Sequence, residues 1–137
     1  CQIKAEVVGK DEREAGLRAI LNFGHTIGHG IEAISSYGKY LHGEAISIGQ
    51  VAATKISEQR AGLAAKESAR IVALFIKAEL PTHIKLTALQ RKQLFAAMQL
   101  DKKVSGGEVE FVLAKRIGQV VSGQIVAPAI IRKALKQ

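Results

Sequence analysis

Tryptophan is absent from this 137-residue chain, and phenylalanine and tyrosine together supply only 4% of it. Leu, Ile, Val and Ala must therefore fill any core. The aromatic-plus-basic pattern of RNA-binding modules and the spacing of C2H2 zinc fingers are both missing, so nucleic acid is disfavoured as a partner despite a formal net charge of +8. One cysteine, Cys1, excludes a disulfide within the chain and any cysteine-pair zinc site, and it fits a reducing, cytoplasmic location. No apolar run approaches the roughly 18 residues of a membrane span. The opening "CQIKAEVVGKDERE" has no basic segment followed by an apolar one, so it is no signal peptide. With no initiator methionine, the chain reads as part of a longer one. The GxGxxG dinucleotide fingerprint and the phosphate-binding P-loop are absent as well.

What remains is the material of one ordinary domain spanning residues 1–137, with 47% hydrophobic and 23% charged residues. Charge is unevenly placed. Residues 1–61 carry seven Lys/Arg and seven Asp/Glu, whereas residues 62–137 carry thirteen and five and so hold the whole excess. A basic half points to nucleic acid, to an anionic substrate or, most commonly, to a solvated surface.

Only two prolines occur, and helical periodicity dominates. "EREAGLRAILNFGHTIGHGIEAIS" reads as one long helix or two abutting ones, with Asp11 as an N-cap. "SSYGKYL" is a turn. "GEAISIGQVAATKISEQRAG" is a second helix, rich in small residues and central. "AAKESARIVALFIKAEL" is a third, ended by Pro81, and "TALQRKQLFAAMQLDKK" a fourth, capped by Thr87. "SGGE" at 105–108 is a turn, "GEVEFVLAKRIGQVVSG" alternates as a hairpin does, and "IVAPAIIRKALKQ" closes as a helix. The expected fold is mainly α: a helical bundle-like domain with a short β-hairpin near residues 108–122.

The first helix carries the unusual chemistry. Projected at about 100° per residue with His25 at zero, Arg18 falls near +20°, Asn22 near +60°, His29 near +40° and Glu32 near −20°. Ile20, Phe23, Ile27 and Ile34 cluster on the far side. A solvated face is usually Lys, Glu, Gln and Ser; this one offers residues that bind metals and orient oxyanions. The bland alternative is a stripe of buried, mutually bonded polar groups. Gly24, Gly28 and Gly30 each weaken a helix by up to about 1 kcal/mol relative to Ala, so their clustering implies close approach of another backbone or a ligand. His25 and His29 stand four apart, as in the HExxH zinc motif, but Thr26 occupies the place of its glutamate, which argues against a metalloprotease. His42, past the turn, would fold back to complete a site, with Glu32 and Glu44 as further ligands, as partners of ligands or as ordinary capping groups.

"LRAILNFGHTIGHGIE" followed by "YLHGEAISIG" resembles the signature of the 3-dehydroquinate synthases, in the sugar-phosphate cyclase group. "IKAEVVGKDERE" upstream and "LDKKVSGGEVEFVLAKRIG" downstream resemble it too. The likeness is to the helical C-terminal domain of that family; its N-terminal NAD-binding domain has no counterpart in this chain. The resemblance implies that His25 and His42 ligate a divalent metal, Zn or Co, with a third ligand, a glutamate, from the N-terminal domain. It implies that His29 stands beside the substrate phosphate and helps it leave. Lys4, Arg18 and Asn22 would hold the carboxylate and hydroxyls, and Lys102 or Lys103 would meet the phosphate. The implied activity is the NAD-dependent cyclisation of 3-deoxy-D-arabino-heptulosonate 7-phosphate to 3-dehydroquinate with loss of phosphate, a step of the shikimate pathway. A homodimer is expected of the full-length enzyme, and no activity of this piece alone.

Two other readings stand beside this one. A related cyclase, such as 2-deoxy-scyllo-inosose synthase, would share the metal site and differ at the carboxylate-binding residues. A non-enzymatic basic helical module would carry structural histidines and show no metal-dependent change.

Overall fold

The computed structural model describes residues 2–11, 17–35, 40–100, 104–105 and 108–135. Six α-helices are found among them: α1 (Gln2–Lys10), α2 (His25–Ile34), α3 (His42–Arg60), α4 (Ala65–Lys77), α5 (Ala88–Leu100) and α6 (Pro128–Ala134). A 3-10 segment, Leu17–Asn22, precedes α2. Strands β1 (Val104–Ser105), β2 (Glu108–Arg116) and β3 (Gln119–Ile125) form an antiparallel sheet in the order β1-β2-β3. The architecture is mainly α with a hairpin, as expected. β2 and β3 extend that hairpin to Ile125, turning at Gly118, whose φ is 85°.

α3 is the central element. Eleven of its 19 residues are buried, among them the consecutive run Ala45–Gly49, which no single amphipathic face would produce. Burial on several sides needs small residues and apolar ones all round, and Ala, Gly, Ser and Ile fill the sequence here. Ile48, Ala52 and Ile56 join Ile27 and Ile31 of α2, Leu94 and Met98 of α5, Phe111 and Leu113 of β2, and Ile131 of α6 in one core.

Buried hydroxyls tie the layers together. Ser57 Oγ donates to Ala53 O at 2.7 Å and accepts the Ala114 amide of β2 at 2.9 Å. Thr26 Oγ1 donates to Glu110 O at 3.2 Å, which fastens the start of α2 to the same strand. Ser68 of α4 donates to the Glu58 carboxylate of α3. Thr87 caps α5 as expected: its Oγ1 accepts the Gln90 amide at 3.2 Å, and Gln90 Oε1 accepts the Thr87 amide at 3.0 Å, a reciprocal capping box.

Two features depart from the sequence reading. α1 was given no secondary structure in the sequence reading; it is a helix with Val7 as its one buried residue, so it has no apolar stripe for periodicity to detect. The stretch 12–35, expected as one long helix or two abutting ones, is divided in its described part, and its first half is a 3-10 segment and not an α-helix. Gly24 adopts a left-handed φ of 79°, so the 3-10 segment and α2 are separate elements, and Arg18 and Asn22 do not share one cylinder with His25. The 3-10 rotation of 120° per residue further shifts that projection. Asp11 still bonds this region, accepting the Arg18 amide at 2.9 Å.

The break has a tertiary cause. A Cβ on Gly24 would lie 2.5 Å from the Gln50 amide nitrogen, one on Gly28 would lie 3.1 Å from Ile46 Cα, and one on Gly49 would lie 2.7 Å from the Gly28 nitrogen and against the Gly24 carbonyl. Backbone meets backbone where α2 crosses α3. Gly49→Ala is expected to destabilise the fold by about 3 kcal/mol, the upper end of the usual cost of overpacking, because backbone atoms cannot rotate aside as a side chain does. Gly43→Ala in the same helix, where an added Cβ meets nothing within 4 Å, is expected to be neutral or slightly stabilising. Urea unfolding of the two variants checks the contrast.

Candidate metal and anion site

α2 presents two faces. Ile27 and Ile31 are fully buried, while His25, His29 and Glu32, at i, i+4 and i+7, project on the opposite side. His42 opens α3 and turns back toward them. The three imidazoles form a triangle, with ring centroids 5.3 Å apart for His25–His29, 6.1 Å for His25–His42 and 6.0 Å for His29–His42. This is the convergence expected from the sequence. The bland alternative of buried histidines fails: His29 is exposed and the His42 side chain is 62% exposed.

Hydrogen bonds set the protons on two of these rings. Nδ1 of His25 lies 3.3 Å from Phe23 O, and Nδ1 of His42 lies 2.9 Å from Glu32 Oε1. A carbonyl and a carboxylate only accept, so in each neutral ring Nδ1 carries the proton and Nε2 the lone pair. That is the arrangement of a metal-ligating histidine steadied by an acceptor behind it. Two imidazoles on one zinc, with Zn–N near 2 Å, hold their centroids roughly 5 Å apart. The observed 6.1 Å for His25 and His42 is about one ångström wider, a gap that side-chain rotation closes. The donor set therefore fits a borderline-soft divalent ion such as Zn or Co. A second grouping overlaps it: the donor atoms of His29, Glu32 and His42 lie within 4.8 Å of one another.

The cations and the amide expected to hold an anionic substrate meet beside this triangle. Lys4 of α1, Arg18 and Asn22 of the 3-10 segment and His25 of α2 line one cleft of about 300 Å³ together with Leu21. Three elements distant in sequence pattern thus deliver the four residues to one wall, although the single-helix projection that grouped three of them does not hold. A second cleft of about 300 Å³ is lined by His29, Gly30 and Ala33 of α2 and by Ala97 and Leu100 of α5. His29 thus opens on the side of the triangle where α5 ends. Lys102 and Lys103 lie outside the described residues.

Glu44, one of the two candidate glutamates, serves as a cap: its Oε2 accepts the Leu41 amide at 2.7 Å at the start of α3. Glu32 instead faces the site. Two contributors escaped the sequence reading. The Phe23 carbonyl acts through backbone and leaves no residue signature. Gly49 lies outside the histidine motif, and only its place in a run of small residues on α3 hinted at close packing.

The Asp11 bond to the Arg18 amide fixes one wall of the cleft. Asp11→Ala is expected to lower stability by about 1–2 kcal/mol, leaving a part-buried amide without that acceptor. Hydrogen exchange should quicken at the Arg18 amide while the central amides of α3 stay protected.

Comparison with known proteins shows which family the chain belongs to. The model of the 3-dehydroquinate synthase C-terminal family matches residues 1–104. The chain is 48% identical to the 3-dehydroquinate synthase of Cyanothece sp. over 138 residues, covering 100% of this chain and 37% of that protein. It is 47% identical to that of Bordetella pertussis over 137 residues, again 100% and 37%. Among solved structures, the 2-epi-5-epi-valiolone synthase of Streptomyces hygroscopicus, with NAD+ and Zn2+ bound, superimposes with a TM-score of 0.81 at 25% identity, over 98% of this chain and 36% of that one. The chain thus spans little more than a third of the length of these relatives, and it belongs to the 3-dehydroquinate synthase family, matching the C-terminal part of those enzymes.

Proposed function

We propose that this chain is the metal- and substrate-holding part of a 3-dehydroquinate synthase, which cyclises 3-deoxy-D-arabino-heptulosonate 7-phosphate to 3-dehydroquinate with loss of phosphate in aromatic amino acid biosynthesis. The observation that carries the reading is the meeting of Lys4, Arg18, Asn22 and His25 on one cleft, next to a triangle of three imidazoles. The family supplies the reaction class; the cleft supplies the reason that these residues suit it.

In this reading His25 and His42 offer Nε2 to the divalent ion, and a glutamate from the N-terminal region of the longer enzyme completes the set. NAD, bound mainly by that region, supplies reversible hydride transfer, and the ion supplies a Lewis acid for the ring alcohols. The residues of this chain do the rest by binding and orienting. Arg18 presents a planar fork to the substrate carboxylate, Lys4 adds a point charge and Asn22 bonds hydroxyls. His29 donates to a phosphate oxygen as the carbon–oxygen bond breaks, and Lys102 or Lys103, which follow Leu100 in the chain, neutralise the departing dianion. No helix among the described residues is long and apolar enough to cross a membrane.

The N-terminal region itself is the expected partner within the enzyme. Ile3, which precedes Lys4 in the chain, Leu41, which precedes His42, and Leu100, on the His29 cleft, are 77%, 71% and 84% exposed. Exposed apolar side chains favour a covering surface over open water. A homodimer of the complete enzyme is part of the same proposal.

The cyclases that act on other sugar phosphates remain the second reading, favoured by the likeness to the valiolone synthase. Two cations on one cleft wall support a substrate with a carboxylate instead. The third reading, a basic module with structural histidines, has less support, since the imidazoles are grouped and solvent-facing.

Joining this chain to the N-terminal region of the Cyanothece relative, with Zn2+ or Co2+ added, should give phosphate release from the heptulosonate phosphate; the chain alone should give none. His25→Ala in the joined enzyme is expected to lower the rate by roughly 10³-fold or more, and undiminished activity would refute the metal assignment. Arg18→Ala is expected to lower kcat/KM by about 10–100-fold, the worth of a lost charge-assisted pair. If the joined enzyme turned over a sugar phosphate without a carboxylate in preference, the second reading would replace the first.

A further inference from the structure

Each of the two imidazoles offered to the ion has its own acceptor behind it, and the two acceptors differ in kind. His25 is steadied by a backbone carbonyl, that of Phe23. His42 is steadied by a side chain, the Glu32 carboxylate, at 2.9 Å. We propose that Glu32 is the positioning residue for His42: its carboxylate accepts the Nδ1 proton, fixes the tautomer and turns Nε2 toward His25, without itself binding the ion. The proposal rests on the reading of His42 as a ligand and adds a role for a residue seven positions beyond His25 on the same stripe of α2.

Two observations carry it. His42 is the first residue of α3, and its side chain is 62% exposed. Packing therefore restrains the ring little, and a hydrogen bond must supply the orientation that a core would otherwise give. Glu32 is anchored where His42 is not: it lies on α2 next to Ile31, which is fully buried, and its own side chain is 32% exposed. A fixed helix thus lends its rigidity to a ring at the end of another.

The competing role is direct ligation, since the donor atoms of His29, Glu32 and His42 all lie within 4.8 Å of one another. Chemistry separates the two. A glutamine oxygen still accepts from Nδ1–H, so it preserves a positioning role. An amide oxygen is a poor ligand for a zinc-type ion, so it abolishes a ligating one.

The test measures Co2+ affinity by visible absorption in the joined enzyme, and the His42 tautomer by 15N chemical shifts in the metal-free protein. Glu32→Ala is expected to weaken Co2+ binding by about 10–100-fold and to leave His42 as a mixture of tautomers. Glu32→Gln is expected to recover most of the affinity and to keep the Nδ1–H form. Wild-type affinity with an unchanged tautomer in Glu32→Ala would overturn the proposal. So would equal loss in Glu32→Ala and Glu32→Gln, which would make Glu32 a ligand. His42→Ala separates this from the wider reading. If it binds Co2+ as tightly as wild type, His42 is no ligand and both claims fall; if it loses the ion while Glu32→Ala does not, only the role of Glu32 falls.

Discussion

The contact between the backbones of α2 and α3 governs the rest of the molecule. Gly24 and Gly28 on one side and Gly49 on the other leave no room for a Cβ between the helices. Dispersion contacts and close packing reward such an approach, and the conformational cost of three glycines in or beside helices opposes it. The approach brings the polar edge of α2 within side-chain reach of the first turn of α3. A crossing opened by one methyl layer would carry the imidazoles further apart, adding to the distance that side-chain rotation has to close if they are to share an ion as proposed. The glycines around the histidines are therefore part of the site, though none carries a functional group.

The same helix also separates two solvents. Ile27 and Ile31 lie in the core, while His25, His29 and Glu32 face outward across one helix diameter. Burying imidazoles in an apolar interior would demand partners for every nitrogen and would oppose their charged forms. Placing them on an edge that water reaches avoids that cost and leaves donors able to meet an ion or an anion. Orientation then has to come from hydrogen bonds, and both assigned acceptors, the Phe23 carbonyl and the Glu32 carboxylate, come from α2 or the turn that starts it.

Much of this was legible in the sequence where one element speaks for itself. α3, α4, α5 and the hairpin sit within a few residues of their expected places, because caps such as Thr87 and strand alternation act locally. The polar residues of the site were also legible, since Arg18, Asn22, His25 and His29 are unusual on one helical stretch. Their geometry was not. The stretch breaks at Gly24 because Gln50, 26 positions away, requires it, and periodicity within a window cannot register a distant backbone. α1 was invisible for a complementary reason: one buried residue, Val7, makes no pattern. Lys4 nonetheless reaches the cleft with Arg18, so a helix without an amphipathic signal supplies one of the site's cations.

The distribution of the site across elements bears on how it would be assembled. α1 has little buried surface to hold it, yet it carries Lys4; His29 and His42 are exposed; and so are the apolar side chains Ile3, Leu41 and Leu100. Under the proposed function, a covering region that contributes a ligand would bury this surface and complete the coordination at once. Docking and ion binding would then be thermodynamically linked, each strengthening the other by the same factor. A site with two ligands on one side of an interface and a third on the other holds its ion weakly when the halves are apart. The weakness of this half alone would then be a consequence of where its ligands lie, not of poor ligands.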